Sequence, residues 1–257
     1  MPLVIWHSYN NEENEIFQKL LDGYRAKNPQ IEIKAERVPF EGLLPKLITA
    51  AIAGKTPDIA RVDLGHIARL AWGKAILPLD AFGADKLLVE MHPIARSVAT
   101  VRVPKSAAQI FAVPDQLTTV ALYYNKDLLR AAGIAVPKNL TELATAGRAF
   151  NARKLEAKAF GMNSSLWWMM PFLYLHNARI LSDDLTQCRL ADDEAQSALR
   201  YLRELYAMHG TEGGAWLAGG INPDQGFVTG RYAMVLSGPW NLKAFRQVNF
   251  GVTLVPA

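Results

Sequence analysis

Apolar and polar positions at the start of the chain follow one another in a way that predicts a strand and then a helix. Residues 4–6 form a short apolar run typical of a buried strand. The next apolar positions recur at helical spacing as far as about Lys27, and Asn28 followed by Pro29 ends that helix. Strand–helix succession of this kind predicts an α/β fold.

The same alternation continues to about residue 110. IEIKAE, residues 31–36, alternates as a strand does, and helical spacing follows over residues 40–53. A third strand is predicted within TPDIARVD, with Asp63 near its end, and Gly73 stands where a glycine would end the next helix. Because strands that alternate with helices usually pair in parallel, we expect a largely parallel sheet.

A different pattern begins near residue 110. Two extended runs flank Pro114, and a helix is predicted from about Lys126. Asn139 followed by Glu142 has the spacing of a helix N-cap with its acidic partner. We infer two α/β domains, residues 1–116 and residues 117–257.

The last third of the chain predicts further elements of the second domain. Residues 192–208 have the spacing of a strong amphipathic helix. DQGFVTGRYAMVLSGPW, residues 224–240, predicts a short helix, a glycine turn, a strand and a tight turn. VNFGVTLVPA then ends the chain with one more apolar strand.

Composition narrows the class of protein. The chain has 257 residues, of which 50% are apolar and 9% aromatic, and this supports a packed core. A formal charge of +4 is spread along the chain without basic runs, so we expect no nucleic-acid partner. No apolar stretch approaches the ~20 residues of a membrane helix. Cys188 is the single cysteine, and we interpret it as structural rather than catalytic.

Signatures of common enzymes are absent from the sequence. It contains no phosphate-binding loop, no G-x-G-x-x-G, no H-E-x-x-H and no G-x-S-x-G. The five histidines are scattered without metal-ligand spacing. We therefore expect no catalytic residue, no metal and no cofactor. A glycosidase remains an alternative, because the separation of two carboxylates is a three-dimensional property.

Tryptophans supply the most informative chemistry. Trp167 and Trp168 are adjacent in LWWMMPFLY, and neighbours on one helix or strand point in different directions. One of them is therefore expected to line a binding surface, although a buried wedge is the alternative. Trp240 follows a Gly-Pro turn that would hold its ring rigidly at the end of a strand.

Polar side chains at strand ends and helix starts complement these rings. A pyranose packs its C–H face on an aromatic plane, while its hydroxyl rim needs fixed hydrogen-bonding groups. In open α/β sheets, ligands bind at the carboxyl ends of strands. Each such side chain by itself is more often a solvated loop residue, but together with the tryptophans they indicate a sugar site. The candidates are Tyr9, Asn10, Glu12, Asp63, Gln116 and Thr118.

Five stretches together resemble one family. They are LVIWHSYNNEENEIF, TPDIARVDLGHIARLAWGKAILPLD, FAVPDQLTTVALYYNKDLLRAAGI, FVTGRYAMVLSGPWNL and FGVTLVPA. These stretches occur in the order found in the extracellular solute-binding proteins of ABC importers. The chain resembles the sugar-binding branch of that family, which includes maltose- and trehalose/maltose-binding proteins. The resemblance implies a two-lobed periplasmic-binding-protein fold of type II that closes on an oligosaccharide and delivers it to the transmembrane subunits of the transporter.

The resemblance also implies roles for single residues. The loop from Asn10 to Glu12 would hold sugar hydroxyls, and Asp63 corresponds to an acidic hydroxyl-binding residue. Trp240 corresponds to a stacking tryptophan, while Trp167 and Trp168 fall where other members place aromatic residues. Gln116 and Thr118 lie where the first hinge would pass the ligand. Other members often have an acidic residue at the position of Thr118, which puts its role in question.

Length is the main departure from the family pattern. Family members continue well beyond the position of Ala257, so we expect a C-terminally shortened domain. The start MPLVIW lacks the features of a signal peptide, which suggests a domain of a longer polypeptide, such as one fused to a permease subunit and so tethered to the inner membrane. We expect a periplasmic or extracytoplasmic location and a monomer. The alternative is a docking module that has lost ligand capture.

Overall fold

The computed structural model describes residues 1–103, 106–163, 165–184, 186–208, 210–211 and 220–257. It divides into two units, Met1–Leu117 and Thr118–Ala257. Each unit has its own sheet and its own buried apolar cluster.

Three parallel strands form the main sheet of the first unit. The first strand, β1, is Leu3–His7 and lies in the centre, between β2 (Ile33–Arg37) and β3 (Ile59–Ala60). Trp6 on β1 is only 8% exposed and belongs to the core of the unit, as its position within an apolar strand predicts. Because the strands are parallel, their carboxyl ends lie at one edge of the sheet.

Helices and a short hairpin complete the first unit. The helix predicted to end near Lys27 and the helix predicted over residues 40–53 are both confirmed. The elements are α1 (Asn11–Lys27), α2 (Phe40–Ile52), α3 (Ile67–Trp72), α4 (Ala84–Val89), α5 (Pro93–Ala99), and the antiparallel strands β4 (Thr100–Arg102) and β5 (Ala108–Ile110).

The end of α3 differs in detail from the prediction. Gly73 has a φ of −76°, so it does not supply the left-handed residue expected there. Lys74 adopts that conformation instead, with a φ of 55°. A Cβ on Gly73 would lie 3.2 Å from the Arg69 carbonyl oxygen, a tight contact that a larger residue could make only with a small shift of the backbone.

Four strands of mixed direction form the sheet of the second unit. The order is β7 (Lys158–Gly161), β8 (Tyr232–Ser237), β6 (Ala121–Asn125) and β9 (Phe250–Thr253). Strands β7 and β8 are parallel, whereas β6 is antiparallel to both of its neighbours. The expectation of a largely parallel sheet was made for the chain up to about residue 110, and it is confirmed for the main sheet of the first unit. Alternation of strands and helices predicts the elements, but it does not determine the direction in which a distant strand enters the sheet.

Helices of the second unit pack around three fully buried phenylalanines, Phe150, Phe160 and Phe172. The predicted cap is confirmed, since the Asn139 side chain accepts a hydrogen bond from the Glu142 backbone N–H. The helices are α6 (Lys126–Ala132), α7 (Leu140–Ala152), α8 (Leu166–Leu175), α9 (Asp193–Ala207), α10 (Pro223–Val228) and α11 (Leu242–Phe245). Within the described ranges, no helix combines the length and apolarity needed to cross a bilayer.

Candidate functional site

Asp115 joins two side chains at the carboxyl edge of the first unit's sheet. Tyr9, two residues beyond β1, donates its hydroxyl hydrogen to the Asp115 carboxylate. Arg61, directly after β3, donates from Nε to the same oxygen at 2.9 Å. Tyr9 and Arg61 lie close together because the parallel strands β1 and β3 end at one edge, and Asp115 comes from a distant part of the chain.

Gln116 extends this set of contacts to the start of α1. Its Oε1 accepts a hydrogen bond from Arg61 Nη2 at 2.6 Å, and its Nε2 donates to Glu13 Oε1 at 3.3 Å. Glu13 in turn forms a capping box with Asn10, in which each side chain accepts from the other residue's backbone N–H at 2.9 Å. We call the six residues Tyr9, Asn10, Glu13, Arg61, Asp115 and Gln116 the polar cluster.

The Tyr9 ring packs against three side chains. The Arg61 guanidinium carbon lies 4.3 Å from the ring centroid, and the rings of Phe17 and His7 lie 4.9 Å and 5.2 Å from it. Burial and the hydrogen bond to Asp115 raise the pKa of the Tyr9 hydroxyl to about 12. Tyr9 is therefore neutral at physiological pH and serves as a hydrogen-bond donor in the polar cluster.

His7 lies beneath this ring and is 1% exposed. Its Nδ1 has no hydrogen-bond partner among the described residues. Burial lowers the pKa of His7, and the positive charges of Arg37 and Arg61 lower it further. A neutral imidazole at this position acts as a packing surface for Tyr9 and for Phe17, whose ring centroid is 4.8 Å away.

Asp63 has a structural role at the same edge. Its Oδ1 accepts a hydrogen bond of 2.9 Å from the Gly65 N–H and caps a 3-10 helix, Leu64–His66. Its side chain also lines a small pocket, which is formed by Ser8, Phe40, Leu43, Leu44, Val62, Asp63 and His66.

Three tryptophans form a cluster in the second unit. Trp167 and Trp168 lie in the first turn of α8, and Trp240 lies in a 3-10 helix, Pro239–Asn241, just after β8. Their ring centroids are 4.6 Å (Trp167–Trp168), 6.1 Å (Trp167–Trp240) and 6.3 Å (Trp168–Trp240) apart. Trp168 packs against the core, whereas Trp167 and Trp240 are 44% and 38% exposed. The cluster thus presents two partly exposed indoles supported by a third.

Gly238 sets how closely the Trp240 ring approaches the backbone. A Cβ at position 238 would lie 2.1 Å from Cζ3 of the Trp240 ring. Its φ of −130° is accessible to any residue, so the need for glycine here comes from the ring and not from the backbone conformation. The indole lies directly against this glycine.

Asp224 approaches the same turn from α10. Its Oδ1 is buried and has no hydrogen-bond partner among the described residues. Burial raises the pKa of Asp224, and the side chains of Ser237 and Asn241, which flank the Gly-Pro-Trp segment, partly oppose that rise. Ser237 is fully buried, and Asn241 Nδ2 donates to its Oγ at 3.0 Å.

Some of the predicted site residues are brought together within each unit. Tyr9, Asn10 and Gln116 share the polar cluster, and all three predicted tryptophans share the indole cluster. Glu12 is exposed in the first turn of α1, and Thr118 is exposed at the start of the second unit. Their ligand-binding roles, like those of the other seven, stay predictions.

Sequence reasoning missed the residues that connect these candidates. The spacing Asn10-x-x-Glu13 is a capping-box signature. It could have shown that the side-chain oxygen of Asn10 accepts a hydrogen bond from the Glu13 backbone N–H. Arg61 and Asp115 are 54 residues apart, and no local pattern links them. Asp224 was visible only as an acidic residue at a helix start. Among the described residues, no group of three His, Cys, Asp or Glu side chains is placed to hold a metal ion.

Comparison with known proteins identifies the family. The model of the bacterial extracellular solute-binding protein family matches residues 10–257. The chain belongs to this family. Its two α/β units are the type II periplasmic-binding-protein fold predicted from the sequence, since the solved GacH receptor of Streptomyces glaucescens superposes with a TM-score of 0.84 at 25% identity. That comparison covers 100% of this chain and 66% of the receptor.

Relatives of this solute-binding protein include sugar-binding proteins. It is 24% identical to the maltotriose-binding protein of Pyrococcus abyssi over 257 residues, which are 99% of this chain and 53% of that protein. It is 25% identical to a maltooligosaccharide ABC transporter solute-binding lipoprotein of Streptococcus pneumoniae, over 97% of this chain and 61% of that protein. The chain thus spans little more than half the length of these relatives. Fusion to a permease and a monomeric state stay predictions.

Proposed function

We propose that this chain binds an oligosaccharide of the maltotriose type without chemically changing it. The observation that carries the proposal is the indole cluster, with Trp167 and Trp240 both partly exposed and their centroids 6.1 Å apart. Two adjacent indoles tilted by 57° offer surfaces to the C–H faces of consecutive sugar rings. The name of the Pyrococcus relative supports the choice of maltotriose as the first ligand to try.

The polar cluster of the first unit supplies complementary chemistry. Asp115 presents a carboxylate that is 45% exposed, and a carboxylate makes charge-assisted hydrogen bonds to sugar hydroxyls. Arg61 holds that carboxylate, and Gln116 in turn accepts a hydrogen bond from Arg61, so the group is held in place before any ligand arrives. Such preorganisation reduces the entropy lost on binding and so favours affinity.

Delivery to a transporter completes the proposed function. The family consists of extracellular proteins, and the pneumococcal relative is named as part of an ABC transporter. We propose that this chain works outside the cytoplasm and presents its sugar to the transmembrane subunits of such a transporter. Sugar binding would act by shifting the population towards the ligand-bound conformation, which the transporter recognises.

Isothermal titration calorimetry with maltotriose tests the proposal. We expect a saturable heat of binding and no release of monosaccharide after prolonged incubation. Trp240→Ala should weaken binding by about tenfold, because an aromatic stacking contact contributes up to about 1.4 kcal/mol. Hydrolysis of the sugar, lost in Glu12→Gln or Asp63→Asn, would contradict the proposal in favour of a glycosidase. Absence of heat with maltotriose and with a panel of other oligosaccharides would instead indicate a docking module.

A further inference from the structure

Arg61 is the basic member of the polar cluster, and both its backbone and its side chain are held in place. Its backbone N–H donates to the Trp6 carbonyl oxygen at 2.8 Å, which ties the residue to β1. Its guanidinium carbon lies 4.3 Å from the centroid of the Tyr9 ring. An arginine over an aromatic ring keeps the edges of its guanidinium for hydrogen bonds. Such an edge is the protein group best suited to bind a carboxylate or a phosphate.

One edge of the Arg61 guanidinium is occupied by the protein itself. Nε donates to the Asp115 carboxylate at 2.9 Å, and Nη2 donates to Gln116 Oε1 at 2.6 Å. Nε and Nη2 share one edge of the planar group, the edge that would bind an anion through two hydrogen bonds. The Arg61 side chain is 24% exposed and that of Asp115 is 45% exposed, so the pair lies at the surface of the unit. The Asp115 carboxylate thus stands where an anionic ligand would otherwise bind.

The charges of the polar cluster are unfavourable for an anion. Its acidic members are Glu13 and Asp115, and its basic member is Arg61. Tyr9, with a pKa of about 12, is neutral at physiological pH. The cluster therefore has a net negative formal charge. Because like charges repel at short range, an anionic group that approaches Asp115 loses free energy, whereas a sugar hydroxyl can donate a hydrogen bond to the same carboxylate.

We propose that Asp115 is a specificity-determining residue, which by pairing with Arg61 makes the polar cluster select neutral sugars over anionic ones. The pairing is a property of the free protein, whereas the selection among sugars rests on the proposed function. Without the Asp115 charge, the guanidinium stays over the Tyr9 ring and its own charge is no longer compensated. Arg61 then becomes a site for a carboxylate or a phosphate.

Proton–nitrogen NMR of the arginine Nε–H groups tests the pairing without any sugar. Arg61→Lys assigns the Arg61 resonance, and inorganic phosphate at neutral pH is the anion added. We expect phosphate to leave this resonance in place in the wild type and to shift it saturably in Asp115→Asn, which keeps an acceptor oxygen but removes the charge. Asp22→Asn is the matched control, because it breaks an exposed ion pair with Arg25 that is also 2.9 Å long. Phosphate should not move the Arg61 resonance in this variant.

A matched pair of ligands then measures the selection among sugars by calorimetry. Maltotriose is compared with the derivative in which each primary hydroxyl is oxidised to a carboxylate. We expect the wild type to prefer maltotriose, and Asp115→Asn to reduce that preference by about tenfold. Adding Arg61→Gln to Asp115→Asn should weaken binding of the oxidised sugar again, because the cation that holds it is removed.

The outcomes separate this inference from the proposed function. An Arg61 resonance that responds equally to phosphate in the wild type and in folded Asp115→Asn would overturn the inference, and so would one that moves in neither. If Asp115→Asn does not fold by circular dichroism, Asp115→Ser replaces it with the same expectation. A wild type that binds the oxidised sugar as tightly as maltotriose would also overturn the inference. A phosphate response confined to Asp115→Asn, in a protein whose wild type binds no sugar, would support the blocking of Arg61 by Asp115 and contradict the proposed function.

Discussion

The Tyr9 hydroxyl donates a hydrogen bond to the carboxylate of Asp115, 106 residues further along the chain. This contact joins the loop after β1 to the last segment of the first unit, and Arg61 binds the same carboxylate oxygen. Tyr9 was predicted as a sugar-binding residue, and the structure shows what orients it. The contact also gives Tyr9 a measurable signature, its pKa.

Replacing Asp115 should lower the pKa of Tyr9. Burial, the hydrogen bond to Asp115 and its negative charge raise that pKa to about 12, and Asp115→Asn removes the charge. Ultraviolet absorbance of the tyrosinate, compared with Tyr9→Phe to isolate one of the eight tyrosines, measures the change. Asp63→Asn changes a carboxylate that caps the 3-10 helix Leu64–His66 and is the matched control. It should leave the pKa of Tyr9 unchanged.

The same shift has a consequence for stability in alkaline solution. Because the pKa of Tyr9 is higher in the folded state than the ordinary value of about 10, the folded protein keeps this proton as the pH rises above 10. The stabilisation is complete below pH 10 and is lost as the pH rises towards 12. The free energy of unfolding, measured with urea over this pH range, should therefore fall more steeply for the wild type than for Tyr9→Phe.

Exposed aromatic residues of the second unit should differ sharply in their effect on sugar binding. Trp167→Ala removes a partly exposed ring of the indole cluster and should weaken maltotriose binding by about tenfold. Tyr174→Ala removes a more exposed ring, 59% exposed, from the other end of α8, and binding should be unchanged. Equal losses in the two variants, measured by calorimetry, would mean that the indole cluster has no special role.

Much of the fold could be predicted from the chain because it depends on local patterns. The strand containing Trp6 and the cap at Asn139 follow from apolar runs and capping spacing. Direction and register of distant strands are set by long-range packing, and the antiparallel placement of β6 beside β8 could not be inferred from alternation. Sequence patterns therefore predict local structure better than contacts between distant parts of the chain.

The candidate site illustrates the same limit at single residues. Asn10 was predicted to bind a ligand, yet its side-chain oxygen is used in a capping box with Glu13. Asp115 lies between Pro114 and the predicted site residue Gln116. Only the folded structure shows that its carboxylate accepts hydrogen bonds from both Tyr9 and Arg61. Residue type indicated the kind of chemistry, and tertiary contacts determine which atoms remain for a ligand.

A methyl group at position 238 should disturb the stacking surface. In Gly238→Ala the new Cβ would lie 2.1 Å from the Trp240 ring, so the indole must move. Because the atoms displaced are the far end of a partly exposed side chain, the stability should change little, whereas the displaced ring should bind maltotriose less well. Gly23→Ala is the control, because a Cβ there has no heavy atom within 4 Å. Urea unfolding and acrylamide quenching of tryptophan fluorescence measure the two effects, and an unchanged quenching profile in Gly238→Ala would contradict the expected displacement.

Acid should destabilise the protein through His7. Burial and the charges of Arg37 and Arg61 lower the pKa of His7, so the folded state holds this imidazole neutral. Its contribution to stability is present above the unfolded-state pKa of about 6.5 and is lost as the pH falls towards the lower folded-state value. His7→Phe keeps an aromatic ring against Phe17 and removes the titrating group, and the Nδ1 atom that it deletes has no partner among the described residues.

Urea unfolding at several pH values between about 5 and 7.5 measures this effect. The wild type should lose stability as the pH falls through this range, and His7→Phe should lose less. His92→Asn, at an exposed histidine that caps α5, is the matched control and should follow the wild type, because asparagine also caps helices well. If His7→Phe and the wild type lose the same stability, the acid sensitivity comes from groups other than His7.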